Sequence, residues 1–381
     1  VKGREWQEVI MGAEDFRFAD ELGPKRVIHV YEPALGLRGT LVVDNVAAGP
    51  AIGGLRMARD VTTEECFRLA RSMTLKNAAA GLPHGGGKSI LYGDPEMPVA
   101  EKEQLIRAMA CALGDCEDYI FGPDMGTNES CMAWVKSEIG RAVGLPRELG
   151  GIPLDELGAT GFGLAHCAEV ATEWCGLELP GARVVLQGFG AVGSHAARFL
   201  GERGAIIVGV ADARGSIADP KGLSVEALLA LRRERRSVAE LDPDRAAPRD
   251  AVIDVECEIW IPAARPDVIR ADNVDRLRTK LVIPGANIPM TPDAERTLHE
   301  RGVVCVPDFV ANAGGVICAA MEYHDATEAL AFEAIEARIR DNTRQVLDQS
   351  RARGETPREA ALELAGERVQ RAMGYRRWSI F

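Results

Sequence analysis

A short apolar run, Arg183–Gln187, leads directly into Gly188-Phe189-Gly190-Ala191-Val192-Gly193, and a segment of helical periodicity, Ala191–Glu202, follows. Glycines at this spacing between a strand and a helix permit a tight turn and let a phosphate approach the helix N-terminus. A second apolar strand, Ala205–Ala211, ends at Asp212. A carboxylate there accepts hydrogen bonds from the adenosine ribose hydroxyls. The glycine pattern alone would also suit a ligand-free turn. Its flanking strands and Asp212 favour a dinucleotide site. NAD is expected, because a 2′-phosphate would meet like charge, while Arg214 leaves NADP open.

The pattern continues downstream. Glu258–Ile261, Leu281–Ile283 and Val303–Val306 read as further short buried strands alternating with helices, which predicts a doubly wound parallel sheet. At 381 residues the chain is long enough for two domains. Leu149-Gly150-Gly151-Ile152-Pro153 is the best boundary. The expected fold is α/β with two domains: an N-terminal α/β substrate domain over 1–148 and a Rossmann-type dinucleotide-binding domain over 149–344. C-terminal helices over 345–381 are expected to pack back on the first domain. Within that domain, strands Arg26–Tyr31 and Thr40–Val43 flank a turn at Gly36–Gly39. A helix is predicted from Thr63, as N-cap, to about Ala80. Near the end, Leu330, Ile335, Ile339 and Val346 share a helix face and Gly354 stops the run. Thr356-Pro357-Arg358-Glu359 then starts a new helix with a capping box.

Composition narrows the function. A formal net charge of −12 argues against a nucleic-acid surface, and the densest basic stretch, Arg232–Arg236, is interrupted by Glu234. No run of about 18 apolar residues is present, so no membrane span is expected. The opening, VKGREWQEVIMGAEDF, lacks a signal-peptide pattern and reads as a cytosolic start. Nine cysteines form no C-x-x-C pair. Cys66, Cys111, Cys305 and Cys318 sit among apolar residues and read as buried free thiols, with no metal site expected.

The remaining question is posed by GLPHGGGKSI, residues 81–90. A phosphate-binding loop ending at Gly87-Lys88-Ser89 would need glycine at position 82, where Leu82 stands. The other reading is a catalytic lysine on a crowded glycine loop. Lys76 lies upstream on the predicted helix, and two lysines converging on one buried cleft would lower each other's pKa toward the range of a base. Two unrelated surface lysines are the alternative.

Six segments, in order, resemble the glutamate/leucine/phenylalanine/valine dehydrogenase family: GPAIGGLRM (49–57), LARSMTLKNAAAGLPHGGGKSILYGDP (69–95), GPDMGTNESCMAW (122–134), GATGFG (158–163), GANIPMT (285–291) and DFVANAGGV (308–316). The lysine region is closest to leucine and phenylalanine dehydrogenases. The resemblance implies reversible NAD(P)-dependent oxidative deamination of an L-amino acid to its 2-oxo acid and ammonia, by a cytoplasmic homo-oligomer. It implies that Lys88 activates water and Asp124 exchanges protons with the amino group. Lys76 would hold the substrate α-carboxylate. Ile52, Gly53, Gly54, Gly122, Asn312, Val316 and Ala319 would line the substrate pocket. Thr160, Ala263 and Asn287 would join Gly188, Phe189, Gly190, Ala191, Val192, Gly193 and Asp212 at the cofactor.

In the family's glutamate enzymes a lysine occupies the Ile52 position and a serine the Ala319 position. Two apolar residues there favour a leucine-, valine- or phenylalanine-type side chain, with Gly122 widening the pocket. GANIPMT and PDFVANAGG resemble the glutamate enzymes instead. A glutamate dehydrogenase with a rebuilt carboxylate site is therefore one alternative, and a non-catalytic regulatory homologue another. His84, where the family has an apolar residue, is expected to cap a loop carbonyl rather than tune Lys88.

Overall fold

The computed structural model describes residues 16–376. All but Phe16 of the stretch read as a cytosolic start lies outside them. The chain divides into two compact units. One holds the residues up to Pro153, Ala319–Thr327 and the stretch from Ala365; the other holds Leu154–Cys318 and Glu328–Leu364. The division falls at the end of the Gly150-Gly151 stretch. Of the C-terminal region 345–381 expected to return to the first unit, only the part from Ala365 groups with it.

The first unit is built on strands β1 (Arg26–Glu32), β2 (Leu37–Asn45), β3 (Ala51–Ala58), β4 (Gly85–Tyr92) and β5 (Tyr119–Pro123), with helices α1 (Thr63–Ala79), α2 (Val99–Ala112) and α3 (Glu129–Ile139). The sheet order is β1-β2-β4-β3-β5. β4 pairs antiparallel with β2 and parallel with β3, so it lies at the centre. Strand periodicity separates two cores. Val42 and Ile90 pack with Cys66 and Ala70 of α1 on one face. Leu41, Val43 and Leu91 pack with Ile106 and Met109 of α2 and Met132 of α3 on the other.

Three local expectations are corrected here. The first turn is formed by residues 33–36, because Glu32 pairs with Leu37 and β2 starts one residue after Gly36. The N-cap of α1 is Thr62, whose hydroxyl accepts from the Glu65 N–H, not Thr63. The glycines before Lys88 are a strand, not a loop. They are needed because other chain segments press on that strand. A Cβ on Gly86 would lie 1.9 Å from the backbone nitrogen of Thr74 in α1. A Cβ on Gly85 would lie 1.8 Å from the Asn45 carbonyl oxygen. Helix α1 therefore rests on bare backbone.

The second unit begins with one helical turn, Leu154–Leu157, and α4 (Ala159–Trp174). There follow β6 (Arg183–Gln187), α5 (Ala191–Glu202), β7 (Ile206–Ala211), β8 (Ser216–Ala218), α6 (Val225–Arg233), β9 (Ile259–Pro262), β10 (Leu281–Val282), α7 (Pro292–Glu300) and β11 (Val304–Cys305). The order is β11-β10-β9-β6-β7-β8. Strands β11 to β7 run parallel, as the alternation predicts, and place β6 and its glycine turn mid-sheet. Strand β8 is an antiparallel edge that the sequence reading lacked. It is too short, at three residues, to show a hydrophobic period.

Helix α8 (Gly314–Tyr323) crosses the division between the units, α9 (Glu328–Arg353) packs along α4, and α10 (Pro357–Tyr375) ends the fold. Ile335, Ile339 and Val346 are buried as expected, but Leu330 is 50% exposed in the first turn of α9. The α10 capping box forms, with Thr356 N–H donating to Glu359 and Glu359 N–H to Thr356 Oγ1. Among the expected buried thiols Cys111 is exposed, beside Glu138.

Gly86→Ala is expected to cost about 3 kcal/mol of stability or to abolish folding, since the clash is with backbone. Gly122→Ala is expected to stay within about 0.5 kcal/mol, its new Cβ meeting Val143 at an ordinary 3.5 Å. Urea unfolding of the two variants checks the contrast.

Candidate active site

Period-2 alternation puts Lys88 on the same face of β4 as Gly86 and Ile90, the face that α1 covers. The neighbouring strand β3 presents Ile52, Gly54 and Arg56 on that face. Lys88 Nζ lies 2.7 Å from Asp124 Oδ2, at the end of β5. Gly54 makes this pairing possible. A Cβ there would sit 2.7 Å from Asp124 Cβ and 3.1 Å from Lys88 Nζ.

Asp124 is held from several sides. Arg56 Nε donates to its Oδ2 at 2.8 Å and the other arm of Arg56 reaches Glu65. The Asp124 N–H donates to Thr127 Oγ1, which in turn donates to the Leu55 carbonyl of β3. Beneath the site, Tyr119 donates to the Gly53 carbonyl at 2.8 Å and lies 3.0 Å from Ser89 Oγ.

The electrostatics are those of a buried, unequal pair. Lys88 is 4% exposed. Burial pushes its pKa below the ordinary lysine value, and the charge and hydrogen bond of Asp124 only partly offset this; the Arg56 charge lowers it further. Asp124 is pushed up by burial, but Lys88 and Arg56 outweigh that and hold it below the ordinary carboxylate range. The result is an ionised carboxylate beside an amine that releases its proton more readily than a surface lysine. Arg56 is a like charge that acts on Lys88. Arg56 stood inside the GPAIGGLRM segment without an assigned role. Its position two residues after Gly54 on a strand was the available signal.

The other predicted residues of this unit lie on the strands beside the pair or on helices of the same unit. Ile52 is buried and pairs in register with Gly86; Gly53 and Gly54 pair with Phe121 and Gly122. Lys76 is half-buried near the end of α1, two residues beyond Thr74. Ala319 is buried in α8. His84 is 1% exposed and caps a carbonyl, as expected. The Pro50 carbonyl can only accept, so His84 Nδ1 donates to it at 3.0 Å and Nε2 accepts from His324 Nε2 at 3.0 Å. Burial holds His84 below the ordinary histidine range.

In the second unit the glycine turn forms between β6 and α5. Gly188 has a φ of +110°, and a Cβ on Gly193 would strike the Gly188 carbonyl at 1.9 Å. A Cβ on Gly190 would meet nothing within 4 Å, and no side chain caps the helix that follows. This leaves an open cradle at a helix N-terminus, the setting a pyrophosphate requires. It belongs to a cavity of about 490 Å³ lined by Gln187, Gly188, Phe189, Asp212, Arg214 and Ala263 among others. Among the described residues, the buried Gln187 Oε1 has no hydrogen-bond partner. A dinucleotide fits these residues.

Asp212 reaches the same cavity, but its carboxylate already accepts from Arg214 N–H, Gly215 N–H, Ser237 Oγ and Val238 N–H. A ribose hydroxyl would share Oδ2 with Val238 alone. The rest of the predicted set gathers nearby in sequence-distant segments. Ala191 and Val192 open α5, and a Cβ on Gly285 would meet Val192 and Ala263. Asn312 Nδ2 donates to the Ala286 carbonyl and Asn287 Oδ1. Thr160 lies 3.3 Å from the Cβ position of Gly315, beside Val316. Among the described residues no group of three or more His, Cys, Asp or Glu is placed to hold a metal ion, and no helix is long and apolar enough to cross a membrane.

Comparison with known proteins places the chain in a family. The glutamate/leucine/phenylalanine/valine dehydrogenase family profile matches residues 150–377, and the profile of its dimerisation domain matches 24–141. The NADP(+)-dependent glutamate dehydrogenase of Pyrobaculum calidifontis is 37% identical over 93% of this chain and 92% of its own. The NAD-specific glutamate dehydrogenase of Staphylococcus aureus is 35% identical over 88% and 85%. The crystal structure of the hetero-hexameric glutamate dehydrogenase of Thermus thermophilus, in a Leu-bound form, superposes with a TM-score of 0.80. It is 30% identical and covers 97% of this chain and 94% of that one.

Two substitutions should move Lys88 in opposite directions. Asp124→Asn removes the charge that favours the ammonium, so Lys88 should lose its proton at lower pH. Arg56→Met removes a like charge, so it should do so at higher pH. Competitive acetylation of Lys88 across pH, read by mass spectrometry, checks both signs.

Proposed function

Since the chain belongs to the glutamate/leucine/phenylalanine/valine dehydrogenase family and is an NAD(P)-dependent amino acid dehydrogenase, we propose that Lys88 and Asp124 handle the protons of a reversible oxidative deamination. One observation carries this reading: a buried lysine amine 2.7 Å from an ionised carboxylate. A bound nicotinamide supplies the acceptor for the hydride leaving the substrate Cα. Lys88, as the free amine, takes a proton from the water that adds to the imine carbon. Asp124 exchanges protons with the substrate nitrogen as ammonia departs. Lys76 holds the α-carboxylate by charge. The glycines 188, 190 and 193, with Thr160, Asn287 and Asn312, are assigned to cofactor and pocket. A non-catalytic homologue would be marked by loss of Lys88 or Asp124, and this chain retains both.

Glutamate is the substrate this reading favours. The relatives named above are glutamate dehydrogenases, and they speak against the apolar side chain expected from sequence. Glutamate then needs a side-chain anchor other than Ile52 and Ala319. The second reading rests on those same residues. Both are buried, at 4% and 9% exposure, and offer no charge, and an unpaired carboxylate in apolar surroundings costs several kcal/mol. An oligomeric enzyme belongs to the same proposal, supported by the dimerisation-domain match and by the hexameric relative.

Lys88→Ala should lower kcat by about 10³-fold while binding of the reduced dinucleotide, NADH or NADPH, followed by fluorescence, stays unchanged. Unaltered turnover would remove Lys88 from the mechanism. A screen of purified protein against the L-amino acids, with NAD and with NADP, should give glutamate the highest kcat/KM. Leucine, valine or phenylalanine in first place would transfer the assignment to the second reading.

A further inference from the structure

Within the first unit, the last turns of α10 lie over the C-terminal end of α1. Arg368 fixes this contact by donating to the carbonyls of Ala78 and Ala79, the last residues of α1. Between the two helices and the segment after β2 lies a cavity of about 380 Å³. That volume is at the lower end for small-molecule sites and suits a ligand of amino-acid size. Neither Lys76, Lys88, Asp124, Ile52 nor Ala319 lines it.

The chemistry of the lining selects a ligand class. Ala48, Ala78, Leu82 and Val369 form apolar wall. The buried polar side chains of the floor are engaged elsewhere. Thr74 donates to Asp44, Asn45 to the Leu22 carbonyl and His84 to Pro50. Arg371 is different: it lines the cavity one helical turn beyond Arg368, and no hydrogen bond or ion pair holds it among the described residues. Tyr375 also lines the cavity. Arg371 against this apolar wall fits a monocarboxylate with a short apolar body. An α-ammonium group would bring a second positive charge to Arg371, so a 2-oxo acid or simple acid suits the site better than the matching amino acid.

The position gives such a ligand a lever. The floor includes His84 and Gly85, which lead into the strand carrying Lys88, and Thr74 and Ala78 of the helix carrying Lys76. We propose that this cavity is an effector site for small apolar monocarboxylates, seated on Arg371 and acting on the two lysine-bearing elements from outside the substrate pocket. Binding here does not depend on the substrate proposed above.

The test is calorimetric titration of the full chain with 4-methylpentanoate, which has no amino group to be oxidised. Wild type and Lys76→Ala should bind it alike, showing that the active-site carboxylate anchor is not the receptor. Arg371→Glu should weaken binding at least about tenfold, the loss of one charge-assisted contact. Arg371→Lys should retain part of the affinity, and Ala48→Trp, which fills the cavity from its exposed rim, should abolish it. 4-Methyl-2-oxopentanoate should bind about as well as the probe and L-leucine about tenfold more weakly. Absence of binding to wild type, loss in Lys76→Ala, or unchanged affinity in both Arg371→Glu and Ala48→Trp would overturn the proposal.

Discussion

The close approach of α1 to β4 over Gly86 is the constraint on which the site depends. With no side chain at 86, the helix backbone rests on the strand, and the next residue on that face is buried beneath it. Lys88 occupies that position. Gly54 on the adjacent strand then leaves room for the amine to meet Asp124, and a methyl group there would separate them. Three bare positions, 85, 86 and 54, thus turn a central strand of a small sheet into a holder for a buried charge. Ordinary strand residues would have given a better-packed sheet without a reacting amine.

Burial and pairing act on Lys88 in opposite directions, and their balance sets its chemistry. A buried ion pair of this kind is weak as a source of stability, because desolvation of both partners offsets their attraction. It is effective at setting protonation states. Asp124, with Arg56 and Lys88 both favouring its charge, stays ionised, while desolvation wins at Lys88. Titratable groups pushed in this way mark functional positions. The second unit uses a different device. Its glycine turn exposes backbone N–H groups at a helix end and leaves the space for a phosphate empty of side chains.

Much of this was legible in the sequence because it is periodic or depends on glycine. The β6 turn and α5 follow from local strand, turn and helix signals, and the capping box of α10 from four residues. The strand character of Gly85–Tyr92 was hidden, since glycine has low strand propensity and here serves a contact made by a distant helix. Arg56 was overlooked because its role arises from register between β3 and β5 rather than from its own segment. Asp212 was legible as a cavity residue. Its engagement with Ser237 and Val238 comes from a 3₁₀ turn 25 residues away, which no local pattern announces. The apolar Ile52 and Ala319 are correctly read as residues, but which substrate they select depends on the surroundings of the whole pocket.

The central claim is that a buried, readily deprotonated Lys88 is the base of the reaction, and the pH dependence of kcat/KM for oxidative deamination tests it most directly. A lysine held below its ordinary value of 10.5 is protonated and inactive on the acid side and becomes the free amine as pH rises through its own pKa. The account predicts a rising acid limb that levels off below 10.5. A profile that is flat from about pH 6 to about pH 10 would contradict it.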